Sequence, residues 1–327
     1  MAHSELRHGL YRARKGQDSC PGDIILAMSA ISFEGVFPAV TTQFKEDLSL
    51  DLDATAKHLE VIIDSGVQGL VMLGSLGENA TLSYEEKTEV LKLAVSVSNG
   101  RIPVVSGVAE LNTYAANKWV DQATEAGVKG LMVLPALVYK GDTTETLTHF
   151  RTVAANTNLP WILYNNPIGY GVDVTPEMLH SLSDVENLRA VKESSGDVRR
   201  ITDIINLSGD RFTLMAGVDD LALECVFLGA KGWIAGIGLA FPKENQHLWN
   251  LMMAGKWEEA RELYRWYTPL LHLDVGGKFV QKIKLCLQEV GLGSERVRLP
   301  RLDLTGAERE ETLRIIREGL AARPVLP

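Results

Sequence analysis

A lysine, a tyrosine and a serine each stand where a short apolar run of this chain gives way to a turn. Lys192 ends Leu188-Arg-Ala-Val-Lys192, ahead of Glu-Ser-Ser-Gly; Tyr164 lies in Trp161-Ile-Leu-Tyr-Asn165, ahead of Asn166-Pro167; Ser75 follows Gly69-Leu-Val-Met-Leu-Gly74. Partial burial lowers a lysine pKa from about 10.4, because leaving water disfavours the ammonium. Bringing it near 7 takes roughly 3 units, or about 4 kcal/mol, and yields a free amine able to attack a carbonyl. The same lysine would equally end a strand and carry its ammonium out to water. Around Ser75, Gly74 and Gly77 let backbone N–H groups converge on an anion such as a carboxylate, or they make a plain turn. Tyr164 sets a phenol at the same kind of position, structural or functional. The coincidence of three capable side chains at strand ends favours a shared site.

From residue 35 onward, short apolar runs alternate with amphipathic ones. Gly35–Thr42, Gly69–Leu73, Ile102–Gly107, Gly130–Leu134, Trp161–Asn165, Leu188–Lys192, Phe212–Gly217 and Gly232–Gly236 read as buried parallel strands. Helical periodicity fills the intervals, as in Leu52–Ser65, Tyr84–Ser98, Thr113–Ala126 and Thr143–Asn156. Ser83-Tyr-Glu-Glu86 has a capping-box pattern, Thr175-Pro176 starts a helix, and Gly66, Gly127 and Gly229 sit where helices should end. Eight strand-helix units predict a (β/α)8 barrel, with an open doubly wound sheet as the alternative. After Ala254 the pattern is helical only: Lys256–Leu271, Gly277–Val290 and Thr305–Ala321 predict a small C-terminal appendage. The expected organisation is an N-terminal extension over residues 1–32, a catalytic barrel over 33–255 and a helical domain over 256–327. Barrel enzymes keep their chemistry at the C-terminal ends of the strands, where Ser75, Tyr164 and Lys192 all fall.

With 327 residues and net charge −9, the chain lacks the basic stripe that would neutralise phosphates, so nucleic acid is not an expected partner. No apolar run approaches the roughly 20 residues of a membrane span, and the cytoplasm is the expected compartment. Cys20, Cys225 and Cys286 are scattered, and the seven histidines show no ligand spacing, so neither metal nor cofactor is expected.

Gly74-Ser-Leu-Gly-Glu78, Tyr164-Asn-Asn-Pro167 and Val191-Lys-Glu-Ser194 resemble, in order, three signatures of the dihydrodipicolinate synthase / N-acetylneuraminate lyase family of Schiff-base barrel enzymes. Gly232-Trp-Ile-Ala-Gly236 and Val297-Arg-Leu-Pro-Arg-Leu302 resemble two more of its segments. The resemblance implies that Lys192 forms a Schiff base with a 2-keto acid and that Tyr164 shuttles protons. It places Ser75 in the hydroxyl relay behind Tyr164, sets the backbone amides of Ser75 and Leu76 on the substrate carboxylate, and turns Ile234 toward the substrate. It also implies a homotetramer built as a dimer of dimers.

Three positions depart from the synthase within that family. Leu76 stands where the synthase has a second hydroxyl residue. Gly169 replaces the arginine that grips the aldehyde substrate's carboxylate, removing a bidentate clamp. Leu137 stands where a tyrosine would enter the neighbouring subunit's relay, with Tyr139 as a nearby substitute. Asp219 would contact a polar substrate tail or cap a helix. These departures resemble the family's deaminases of 1-pyrroline-4-hydroxy-2-carboxylate, which is the leading expectation. A 2-keto-3-deoxy sugar-acid dehydratase or aldolase is the main alternative. Dihydrodipicolinate synthase itself is disfavoured, and a non-catalytic keto-acid-binding barrel would leave Lys192 an ordinary lysine.

Overall fold

The computed structural model describes residues 31–327, which form one compact unit. The expected N-terminal extension therefore lies, up to residue 30, outside the described residues. Eight parallel strands follow in chain order: β1 Gly35–Val36, β2 Leu70–Met72, β3 Val104–Val108, β4 Gly130–Val133, β5 Trp161–Asn165, β6 Leu188–Glu193, β7 Thr213–Ala216 and β8 Gly232–Trp233. From β2 to β8 each strand pairs with its chain neighbour, β1 pairs with β8, and an isolated Ala39–Val71 bridge from the segment after β1 to β2 closes a (β/α)8 barrel. Nearly every strand residue is buried, as a sheet wrapped by helices requires.

β1 and β8 are shorter than their apolar runs. Pro38 has no N–H to give, so the ladder loses its regularity there, although Phe37 and Ala39 still donate to Trp233 and Ala235 at 2.8 Å. The helix boundaries follow the capping chemistry. Ser83 and Glu86 cap each other's backbone at the start of Tyr84–Ser98, and Thr175 caps a helix that opens on Pro176. Gly66, Gly127 and Gly229 all take positive φ just past a helix end.

Helices Trp257–Leu271, Phe279–Glu289 and Gly306–Ala321 follow the barrel. One buried ion pair ties this segment to the strand ends. Lys284 Nζ donates to Glu78 Oε1 at 2.8 Å and to the Thr42 carbonyl at 2.9 Å, with neither charged side chain exposed. Glu78 Oε2 accepts the Arg298 N–H at 3.1 Å. Glu78 itself has φ +54, so the last residue of the Gly74–Glu78 loop is held in the left-handed region by partners from the far end of the chain.

Candidate active site

Tyr164 and Lys192 are register partners on β5 and β6, which sets them side by side at the C-terminal ends of the strands. Both are buried, and the Lys192 amine lies 4.2 Å from the centre of the Tyr164 ring. They open into a cavity of 410 Å³, also lined by Ser75, Leu76, Ile234 and Asp274, a size suited to a small ligand. Gly217 on the neighbouring strand end makes room for them. A Cβ there would meet Ser194 Oγ at 2.0 Å and Lys192 Cγ at 2.8 Å.

Burial is the main influence on both groups. It lowers the Lys192 pKa from 10.5, with Asp274, Tyr170 and Asp219 opposing it in that order. It raises Tyr164 to about 12, against a hydrogen bond from Asn166 that favours the phenolate. Tyr164 is thus a neutral phenol at ordinary pH, able to give one proton while accepting another.

The loop after β2 is strained. Leu73 has φ +59, an uncommon conformation for a bulky side chain. Asn79 Nδ2 holds its carbonyl at 3.0 Å. Gly107 permits the approach, since a Cβ there would lie 2.4 Å from the Leu73 carbonyl oxygen. Beyond this bend, neither the Ser75 nor the Leu76 N–H donates to a protein acceptor among the described residues. Two adjacent free N–H groups at a cavity wall suit a carboxylate.

One residue at this site was not foreseen. Tyr170 ends the one-turn helix Pro167–Tyr170, and its hydroxyl is hydrogen-bonded to Ser75 Oγ. Its ring meets that of Tyr164 edge-on, with centres 5.8 Å apart. Burial raises Tyr170 to about 12, with Tyr164 adding to the effect and Ser75 opposing it. Asn166 organises the pair: its Nδ2 donates to the Tyr164 hydroxyl at 3.0 Å, while its Oδ1 accepts the Gly169 N–H at 2.8 Å and caps the short helix. A Cβ at Gly169 would lie 3.0 Å from that Nδ2, so the cap closes tightly over a residue without a side chain. The available signal in the sequence was Asn-Pro, an N-cap followed by a first-turn proline.

Ser75, Leu76, Tyr164, Gly169, Lys192 and Ile234 all line the cavity. Two expected substrate contacts do not. Leu137 is half-buried, its N–H bonded to the Glu110 carbonyl at 3.1 Å, because the loop after β4 turns away from the cavity. Tyr139, the considered substitute, is exposed and donates to Glu145 at 2.9 Å. Asp219 is wholly buried beneath the rim. Its oxygens accept Trp233 Nε1–H at 3.0 Å, Gly236 N–H at 3.0 Å and Ile237 N–H at 2.8 Å, so it fixes the segment after β8 instead of facing a ligand or capping its own helix. Burial raises its pKa to about 6 against those three donors. The cavity's carboxylate is Asp274, which the sequence pattern did not single out.

Residues 32–319 match the dihydrodipicolinate synthetase family. A 4-hydroxy-tetrahydrodipicolinate synthase of Archaeoglobus fulgidus is 32% identical over 285 residues, covering 87% of this chain and 98% of the relative. One from Methanothrix thermoacetophila is 33% identical, covering 82% and 90%. Among solved structures, a dihydrodipicolinate synthase of Bacillus anthracis superposes with a TM-score of 0.84 at 31% identity, covering 90% of this chain and all of that one. The Acinetobacter baumannii enzyme, solved with pyruvate, gives 0.84 at 27% identity and covers 88% and 99%. With nearly the whole described chain matched in sequence and in fold, the protein is a member of the dihydrodipicolinate synthetase family of lyases.

Proposed function

We propose that the protein is a lysine Schiff-base lyase for a small 2-keto acid, or its cyclic imine, that carries a single carboxylate. The charge of the cavity supports this reading. Among the described residues Lys192 is its only cationic lining group, and Asp274 lines it as well. A substrate with a second carboxylate would find no second cationic group to pair with, because Gly169 replaces the arginine that would grip it. In the proposed chemistry the Lys192 amine attacks the C2 carbon of a keto acid or pyrroline, whose carboxylate rests on the Ser75 and Leu76 N–H groups. The resulting iminium draws electrons from the next carbon, and Tyr164 moves the proton that this carbon loses or gains.

The leading substrate is 1-pyrroline-4-hydroxy-2-carboxylate, a monocarboxylate whose conversion would release ammonia and 2-oxoglutarate semialdehyde. Condensation of pyruvate with aspartate semialdehyde is the second reading, favoured by the names of the relatives. Both are tested in one set of assays: ammonia release from the pyrroline, heterocycle formation from pyruvate plus aspartate semialdehyde, and cleavage of a 2-keto-3-deoxy sugar acid. Ammonia release at a kcat of about 1 s⁻¹ or more is the expected result. Heterocycle formation at that rate, with no ammonia from the pyrroline, would transfer the protein to the synthase reading.

Tyr170 is proposed to complete the proton relay from within the same chain, through Ser75 to Tyr164. Tyr170→Phe is then expected to lower kcat by about 10- to 100-fold with little change in KM. An unchanged kcat would remove Tyr170 from the relay. The homotetramer implied by the sequence resemblance remains a proposal. Exposed Leu111, Val138 and Tyr139 on the loops after β3 and β4, Tyr114 on the helix after β3 and Ile168 on the one-turn helix after β5 are apolar surface available for contact between copies.

A further inference from the structure

The cavity holds a carboxyl that the chemistry above leaves without a role. Asp274 ends the turn His272–Asp274, which follows helix Trp257–Leu271, so it reaches the strand ends from the C-terminal segment. Its carboxyl rests against Gly236 just beyond β8, where an added Cβ would come within 2.5 Å of Oδ1. Glycine at 236 is what leaves this place open. Asp219 holds the same residue through its N–H, and the two carboxylates differ in what they have left to offer. Asp219 accepts three donors, whereas no side-chain hydrogen bond to Asp274 forms among the described residues. The residue as a whole is half-buried, but desolvation of its carboxyl, reinforced by Asp219, opposed by Lys192 and aided less by Asp220, raises its pKa well above the ordinary carboxylate value, which favours the protonated acid.

Three walls of the cavity now carry three different groups. The free N–H pair follows β2, the amine stands on β6 and the carboxyl lies over the end of β8. A 2-keto acid with its carboxylate at the first and its C2 at the second presents its remaining carbons to the rest of the cavity, where Asp274 is the one acidic lining residue among the described residues.

Building on the Schiff-base reading, we propose that Asp274 is the catalytic acid that protonates a hydroxyl leaving C4 of the Lys192-bound enamine. The nitrogen lone pair forms N=C2, the C2=C3 pair moves to C3=C4, and the C4–O pair departs with oxygen. Oxygen takes the Asp274 proton and leaves as water. The products are an unsaturated iminium on Lys192, the Asp274 carboxylate and one water, with net charge conserved and nothing oxidised or reduced. The water that later hydrolyses the iminium supplies the proton that restores the acid.

The test compares two reactions of Asp274→Asn with those of the unaltered protein. Exchange of the pyruvate methyl hydrogens in D₂O, followed by NMR, needs Lys192 and proton transfer but has no leaving group. Loss of the C4 hydroxyl is followed in single turnovers with 1-pyrroline-4-hydroxy-2-carboxylate and with a 2-keto-3-deoxy sugar acid. Asp274→Asn should keep pyruvate exchange within about threefold while losing about 10²- to 10³-fold in C–O cleavage. The retained exchange also shows that the variant is folded. Cleavage within about threefold of the unaltered protein, or equal losses in both reactions, would overturn the proposal. So would an unaltered protein that exchanges pyruvate yet cleaves neither hydroxylated probe, a result that leaves the Schiff-base reading standing. An unaltered protein that neither traps pyruvate on Lys192 with borohydride nor exchanges it would overturn both.

Discussion

Lys192→Met is expected to remove about 10⁴-fold or more of the turnover while the barrel stays folded. Methionine keeps the length and apolar stem of the side chain, and it relieves the protein of a buried amine only 7% exposed to solvent. No second amine lines the cavity among the described residues, so nothing nearby can stand in as nucleophile. The pH dependence follows from the direction of the shift. Because burial lowers the Lys192 pKa from 10.5, the free amine persists to lower pH than an exposed lysine would allow. Activity should therefore rise with pH along a limb whose midpoint lies below 10.5, and fall as acid converts the amine to ammonium. Lys192→Arg, charged at every accessible pH, should be inactive throughout. Borohydride trapping with mass spectrometry reads the adduct directly, and a melting curve confirms folding. Turnover in a folded Lys192→Met variant, or an adduct on a different lysine, would end the Schiff-base reading.

The largest effect on stability is expected at the buried pair beneath the rim. Lys284→Met would leave the Glu78 carboxylate enclosed with the Arg298 N–H, and with Arg301 at 3.9 Å, but without its close counter-charge. Removing one partner of a buried pair costs about 3–5 kcal/mol, because the remaining ion has lost both its hydration and its partner. Denaturant unfolding should show that loss, and Glu78→Gln combined with Lys284→Met should recover part of it by removing the stranded charge. A loss below about 1 kcal/mol in Lys284→Met would mean that water or Arg301 compensates Glu78.

The barrel was legible because parallel strands buried on both faces leave short apolar runs, and because Ser83, Thr175 and the positive-φ glycines mark helix ends through local chemistry. The cavity group of Ser75, Tyr164 and Lys192 was legible because each sits at the same end of its strand. Asp219 and Asp274 show where such reading stops. Both follow apolar stretches, and only the distribution of donors separates a carboxylate used up by Trp233, Gly236 and Ile237 from one left facing a cavity. Tyr170 was missed because it arrives on a single helical turn, too short for any period to register. The path of the loop that carries Leu137 depends on bonds such as Leu137 N–H to the Glu110 carbonyl, which spacing does not encode.

The Glu78 clasp also bears on the order in which the chain becomes an enzyme. Its lysine follows 206 residues after the glutamate, an interval of about 10–40 s at ordinary rates of synthesis. A nascent chain that already contains Ser75, Tyr164 and Lys192 still lacks the groups that hold the Gly74–Glu78 loop in shape, and it lacks Asp274 as well. In a chain whose barrel has not yet closed, Lys192 would keep the basicity of an exposed lysine and stay mostly as ammonium, a poor nucleophile. On the Schiff-base reading, activation of this lysine would then coincide with completion of the fold.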